Sequence, residues 1–524
     1  LPLHACSWVS SLMSHSLSSN LPSPCFSEWA EVTPGILPLL PLLLPIAAAA
    51  LILVVGRHED LRESVTLGTA GVMVVVVLAM LPEILEGGRI SITLLPLLPG
   101  GDLALRVDAF GMIFAITASV LWFLNSLYSI GYMRALREHD QTRFYFCFAI
   151  AIAAAMGIAF SANLVTLFVF YEILTLVTYP LVVHAGTPEA LQAGRKYLAY
   201  LLGGGICLLG ATIITYSLTG TTEFIPGGFL AGTGTVLMLQ LLFILYMAGF
   251  VKAAWMPFHA WLPAAMVAPT PVSAFLHAVA VVTAGVFGVV RIAGWVYGTE
   301  LMAVLGLGTV LAVIASFTII TASLFALAED NLKRRLAYST VSQLSYILLG
   351  VSMLSMAGLT GAMVHIPFHA FLKITLFFGA GAIIVGSGRE AISEMRGIGR
   401  KMPVTAVTFA AAAAGICGLP PFCALISKVY LSVGAVQAGE VILLGVIIAS
   451  SVLNVAYFFP IIYTMIVARP PDNRALGEVR EAPFTMLIPL IVTVAISMAI
   501  FFFPALPFLD LAGIALAEIT GGGF

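Results

Sequence analysis

The chain has 524 residues, 60% of them hydrophobic and only 9% charged, with a mean hydropathy of +1.08 and a formal net charge of -2. Soluble domains carry about 25% charged residues, so the composition excludes a soluble enzyme and points to a polytopic membrane protein. The near-neutral balance gives no reason to expect a nucleic-acid partner. The six cysteines, Cys6, Cys25, Cys147, Cys207, Cys417 and Cys423, show no Cys-x-x-Cys or Cys-x-x-Cys-His spacing, which argues against iron-sulfur and c-type haem centres.

Residues 1–33 are rich in Ser and Pro and lack a basic stretch followed by a continuous apolar run. They do not read as a signal peptide and are expected to be disordered or to reflect a misassigned start. Beyond them, apolar runs long enough to cross a bilayer, about 18 residues or more, lie near 35–55, 65–82, 108–130, 144–161, 163–184, 197–217, 234–256, 273–295, 301–323, 335–355, 359–385, 403–431, 439–467 and 483–505. The reading is an all-α membrane protein of about fourteen spans, its fourth and fifth parted at Ser161-Ala162-Asn163.

The loops orient these spans. Odd-numbered loops hold Arg57, Arg62, Arg134, Arg137, Arg143, Arg195, Lys196, Lys333, Arg334, Arg335, Arg389, Arg396, Arg400, Lys401, Arg469, Arg474 and Arg480; even-numbered loops hold only Arg89, Arg106 and Arg291. Cytoplasmic loops carry the excess of Lys and Arg, so both termini are expected on the non-cytoplasmic side. The cluster from Glu329 to Arg335 reads as a solvated loop, and Asp108 and Arg291 read as interface markers at span ends.

Four ionisable residues interrupt this apolar background: Glu172, Lys252, Lys373 and Lys428. A charge at the bilayer centre costs about 2.5 to 3.5 kcal/mol even on lenient scales and marks ion or proton pathways. Desolvation makes a lysine's charge switchable, and a carboxylate such as Glu172 could load or release its proton. Pro257 and Pro263 follow Lys252, Pro367 lies between His365 and His369, and Gly418-Leu419-Pro420-Pro421 precedes Lys428, so three spans are expected to be interrupted near a lysine. His365, His369 and Lys373 recur every four residues along one helix face, His259 lies beyond Lys252, and His277 opens the eighth span. Neutral imidazole both donates and accepts, which suits a proton relay. No Asp, Glu or Cys completes a metal site on the His365–His369 face, so no metal is assigned.

Five ordered segments now carry a resemblance: Val-Lys-Ala-Ala-Trp-Met-Pro-Phe-His-Ala-Trp-Leu-Pro from Val251, Ala-Pro-Thr-Pro-Val-Ser-Ala-Phe-Leu-His-Ala from Ala268, Lys-Arg-Arg-Leu-Ala-Tyr-Ser-Thr-Val-Ser-Gln from Lys333, His-Ala-Phe-Leu-Lys from His369, and Gly-Leu-Pro-Pro-Phe-Cys-Ala-Leu-Ile-Ser-Lys from Gly418. Over roughly residues 100–470 the chain resembles the antiporter-like membrane subunits shared by respiratory complex I, membrane-bound hydrogenases and multisubunit Mrp-type cation/proton antiporters. One transmembrane domain is expected from residue 34 to 524, and the resemblance implies inverted five-helix repeats within it, at about 144–295 and 301–467, with broken seventh and twelfth spans. It further implies that Glu172, Lys252, His277, Lys373 and Lys428 carry protons along an axis in the membrane plane, with Lys428 terminal. Ala264 and Ala424 depart from the family's usual acidic residue and glycine.

These readings lead to a subunit of a bacterial-type plasma-membrane complex that moves protons, with or without exchange for Na+, beside other membrane subunits. A D-like Mrp antiporter subunit is favoured; a complex I or hydrogenase subunit is the alternative, and a scaffold or stand-alone transporter are further rivals. No Rossmann or P-loop motif is present, so no redox cofactor is expected in this chain.

Overall fold

The computed structural model describes residues 32–97, 99–470 and 477–521. A small sheet precedes and interleaves with the first helices: β1 (Val32–Pro34) runs parallel to β2 (Arg89–Leu95), which pairs antiparallel with β3 (Leu103–Val107). Val32 and Thr33 are therefore ordered in a strand, against the expectation of disorder up to residue 33; residues 1–31 lie outside the described residues.

The helices follow in chain order: α1 (Leu40–Val55), α2 (Glu59–Leu85), α3 (Ala109–Leu136), α4 (Gln141–Ala159), α5 (Leu164–Val182), α6 (Pro188–Thr219), α7 (Val236–Gly249), α8 (Thr270–Ala278), α9 (Val281–Arg291), α10 (Leu307–Ala328), α11 (Leu332–Ser352), α12 (Met356–Ser387), α13 (Pro403–Cys417), α14 (Ala424–Gln437), α15 (Val441–Ile462), α16 (Phe484–Phe502) and α17 (Asp510–Ile519). Local chemistry sets their ends. Asp108 accepts from the Gly111 N–H at 2.8 Å to start α3, and Asn163 accepts from Thr166 N–H at 2.8 Å to start α5. The parting of the fourth and fifth spans thus falls where Ser161-Ala162-Asn163 stands. Gly418, at φ 91°, ends α13 in the left-handed conformation that glycine adopts without strain.

Eleven described helices are long and apolar enough to cross a membrane. The expected seventh and twelfth spans are divided, into α7 with short turns at Val251–Ala253 and Trp261–Ala264, and into α13 and α14. The expected tenth is α11, whose polar and basic residues keep it off that apolar set.

Three expectations are corrected. Pro367 leaves α12 continuous over 32 residues, because this helix is packed on nearly every side and the lost backbone bond is absorbed within it. The eighth span is instead the irregular one: between α8 and α9 the Ala280 N–H reaches five residues back to Phe275 O, and Thr283 Oγ1 donates to Ala278 O. Finally, Lys333 and Arg335 are buried at 7% exposure, not solvated, whereas Arg334 stays outside and pairs with Glu329 at 3.2 Å.

Packing divides the helices into an inner and an outer set. The stretch Thr270–Tyr297 is buried throughout, and α3, α4 and α12 are mostly buried, while α1, α2, α6, α10, α15 and α16 turn more of their apolar side outward. α12 is central, packing against α3, α8, α11, α13, α14 and α16.

Candidate functional site

Lys252 lies just past the end of α7, in the turn Val251–Ala253, and is fully buried. Its ammonium donates to the backbone oxygen of Tyr171 on α5 and lies 3.4 Å from the centroid of the Tyr171 ring. Cation–π contact and a carbonyl acceptor thus hold the charge. Glu172, the next residue, is an electrostatic neighbour of Lys252, but the two make no direct ion pair. Its Oε1 is buried without a hydrogen-bond partner, and its carboxylate rests where a Cβ on Gly205 of α6 would stand.

His277 ends α8 beside the slipped turn, fully buried, with neither ring nitrogen bonded. Its ring sits 4.8 Å from that of Phe377, one turn beyond Lys373 on α12, and Lys373 and Lys333 are its charged neighbours. Lys373 donates to Ser339 Oγ of α11 at 2.8 Å; that hydroxyl lies 2.9 Å from Tyr457 OH of α15, which donates to Asn454 Oδ1 at 2.5 Å. His369 and His365 share the α12 face with Lys373, their rings 5.9 Å apart, and His365 Nδ1 lies 2.8 Å from Ser427 Oγ on α14.

Lys428, on the turn after Ser427, donates to Ile416 O at 2.8 Å and Cys417 O at 3.1 Å. Those carbonyls end α13, where the break leaves helical acceptors unused and the helix dipole favours a cation. Lys428 also reaches Ser451 Oγ at 3.4 Å and lines an open groove of ≈ 490 Å³ with Cys417, Gly418, Ser432 and Ser451. His259 stands apart from this series: half-buried, it packs its ring near Phe325 and Tyr338.

Lys252, His277, Lys373, His369, His365 and Lys428 are all buried, and Glu172, half-buried, is the neighbour of Lys252. Buried polar atoms without a protein partner include several of these residues and their neighbours: Glu172 Oε1, both His277 nitrogens, both Gln343 amide atoms, His369 Nε2, His365 Nε2 and Asn454 Nδ2. Buried polar groups are hydrogen-bonded in folded proteins, to water where the protein offers nothing. Unpartnered donors and acceptors of this kind are the groups that can hold water.

Residues 161–454 match the family model for the transmembrane part of NADH:quinone oxidoreductase and Mrp antiporter subunits. The chain belongs to this family. Among relatives, NADH-quinone oxidoreductase subunit N of Desulforudis audaxviator is 33% identical over 381 residues, covering 70% of this chain and 75% of that protein. A Na(+)/H(+) antiporter subunit of Alkalihalophilus pseudofirmus is 30% identical over 452 residues, 80% of this chain but 55% of its own length. The chain likewise spans only 64% of NADH-quinone oxidoreductase subunit L of Mycobacterium tuberculosis. In fold it is similar to a chain of the Mrp complex from Dietzia sp. DQ12-45-1b, with a TM-score of 0.84, 22% identity, and coverage of 93% of this chain and 97% of that one. The matched range contains Glu172, Lys252, His277, His365, His369, Lys373 and Lys428.

Several residues of this family member's interior escaped the sequence reading. Lys333 donates to Ala268 O at 2.6 Å, just ahead of α8, and has Glu138 and Glu390 as charged neighbours. Asp108 and Arg291, read as interface markers, form a buried ion pair at 2.6 Å, with the guanidinium ringed by Phe110, Phe224, Phe287 and Trp295. Ser339, Gln343, Tyr457 and Asn454 gave no signal of their own; the low hydropathy of the 332–352 run was the available clue.

Proposed function

We propose that this chain is the proton-translocating membrane subunit of a multisubunit cation/proton antiporter, with Glu172, Lys252, His277, Lys373 and Lys428 as carriers and His369 and His365 as relays. The observation that carries the reading is the state of the lysines. Among the described residues Lys252, Lys373 and Lys428 are buried, yet none is ion-paired with a carboxylate; each donates to backbone oxygens or a hydroxyl. A scaffold that merely tolerates buried lysines would pair them. Carbonyl and hydroxyl acceptors leave the amine free to gain and lose its charge.

In this reading Lys333 joins the basic face to His277, the groove at Lys428 opens the far end, and His259 is peripheral. Fourteen spans in two inverted repeats, both termini on the non-cytoplasmic side of a bacterial-type plasma membrane, fit the loop charges. The three arginines on the sparse side are each paired with a carboxylate: Arg89 with Glu518 at 2.9 Å, Arg106 with Glu223 at 3.6 Å, and Arg291 with Asp108.

The test is proton flux in vesicles carrying the co-expressed complex. Glu172→Gln and Lys252→Met should each abolish pH-gradient formation driven by Na+ or K+ while the complex still assembles. Full flux in either variant refutes the axis. A second reading, the pump subunit of a redox complex, is favoured by the 33% identity to an NADH-quinone oxidoreductase subunit. It requires flux driven by electron transfer to quinone and insensitive to Na+ and K+ gradients.

A further inference from the structure

The loop joining α3 to α4 carries Glu138, His139 and Asp140, and it meets the residues that follow α5, where His184 lies. None of these belongs to the axis. The Oε2 of Glu138 is 3.8 Å from His184 Nε2 and 3.9 Å from His139 Nδ1, and the two imidazoles stack at 4.7 Å with an interplanar angle of 29°. One ligand atom from each of the three residues lies within 4.8 Å of the others.

His184 is the second, independent observation. It is 1% exposed, its ring edge rests on Phe144 at 5.8 Å, and neither ring nitrogen has a hydrogen-bond partner. A buried imidazole with both nitrogens unused is costly unless something occupies one of them. Here Nε2 faces a carboxylate and a second imidazole.

We propose that Glu138, His139 and His184 form a binding site for a divalent transition-metal ion of the Zn2+ class. Two imidazoles and one carboxylate are a borderline-soft set that suits Zn2+ and its neighbours and does not suit Mg2+ or Ca2+. Tetrahedral zinc with bonds of about 2.0 to 2.2 Å sets its ligand atoms about 3.3 to 3.6 Å apart; the carboxylate–imidazole sides, at 3.8 and 3.9 Å, need a closure of a few tenths of an ångström, and the imidazole–imidazole side, within 4.8 Å, needs up to about 1.5 Å, with the His139 ring turning out of its stack on His184. His139, with a side chain 53% exposed, is free to make that adjustment, and a solvent water takes the fourth position.

The surroundings agree with a cation. Asp140 Oδ2 lies 4.0 Å from His139 Nε2, the nitrogen left over when Nδ1 binds, and so can orient that ring as an outer carboxylate. Arg143 brings a positive charge, but it pairs with Asp140 at 3.2 Å and with the His184 carbonyl at 3.4 Å, which leaves Glu138 uncompensated by it. Glu138 also has Lys333 as a charged neighbour, but none of the three ligands is a carrier in the proposed transport path, so the metal site does not depend on that reading.

The experiment uses the intact complex, purified with an affinity tag free of histidine, and Zn2+ or Co2+ as probe. Equilibrium competition with a chromophoric chelator measures affinity, and the visible absorption of the Co2+ form reports coordination. The expected result is one site with four-coordinate Co2+ bands, weakened at least about 100-fold by His139→Ala and by Glu138→Gln, and about 10-fold by Asp140→Asn. His139 is exposed, so its variant keeps the fold, and His58→Ala serves as the unaffected control. Absence of a bound equivalent in the wild type, or equal affinity in the wild type and His139→Ala, overturns the proposal.

Discussion

Removing Asp108 tests the energetics of the buried arginine. The carboxylate does two things: it accepts the Gly111 N–H that starts α3, and it pairs with Arg291 at 2.6 Å in a ring of four aromatic side chains. Loss of the cap costs about 1 kcal/mol, and leaving a buried charge without its partner costs about 3 to 5 kcal/mol. Asp108→Ala is therefore expected to destabilise the protein by about 4 to 6 kcal/mol. Arg291→Met on the same background should recover most of the second part, because an apolar chain fits the aromatic ring, leaving a net loss of about 1 to 2 kcal/mol. Denaturant unfolding of the detergent-solubilised protein, followed by tryptophan fluorescence, gives the double-mutant cycle. If the double variant is no more stable than Asp108→Ala, Asp108 and Arg291 do not act as a pair and the reasoning fails.

Lys428→Met should slow proton flux in reconstituted vesicles by at least about ten-fold, with assembly unchanged on gel filtration. Gly205→Ala places a methyl group where the Glu172 carboxylate rests; flux should fall several-fold, while the unfolding midpoint holds or rises by the equivalent of up to about 1 kcal/mol, since alanine favours the helix. His184 gives a pH dependence with a defined sign. Its imidazole is held at about 4, against 6.5, by burial and by the nearby His139 and Arg143. Below 6.5 the unfolded chain binds a proton that the native state refuses, so stability falls as pH drops from 6.5 to about 4 and then levels. In metal-free buffer His184→Phe should flatten that part of the profile, measured as unfolding midpoint against pH; an unchanged slope contradicts the assignment.

Where an element depends on its own residues, the sequence was legible. Apolar runs located the spans, Ser161-Ala162-Asn163 marked the parting of the fourth and fifth, and the Pro-Pro after Gly418 marked a true break. Lys252, Lys373 and Lys428 stood out because burial of an amine in a bilayer is costly wherever it occurs. What depends on distant partners was not legible. Asp108 and Arg291 are 183 residues apart, and each alone looks like an end-of-span charge. Lys333 and Arg335 sit in a basic run that hydropathy assigns to water, and only the carbonyls of Ala268 and Tyr457 explain their burial. The strands are too short to compete with helical runs, and α17 is too short to register as a span. Pro367 misled for the opposite reason: a strong local signal was overruled by packing around α12.

Helix α11 has a consequence for how the protein is made. It is buried nearly all round and carries Lys333, Arg335, Ser339, Thr340, Ser342, Gln343 and Ser345 into the interior, packing on α10, α12, α14 and α15. Released singly into lipid during synthesis, this segment would present those polar groups to hydrocarbon. Its integration must wait for neighbours, first α10, which precedes it in the chain and lays Ser323 Oγ 3.0 Å from Ser342 Oγ. Insertion of the two as a hairpin, with later helices closing over the polar groups, makes the order of synthesis part of the folding pathway.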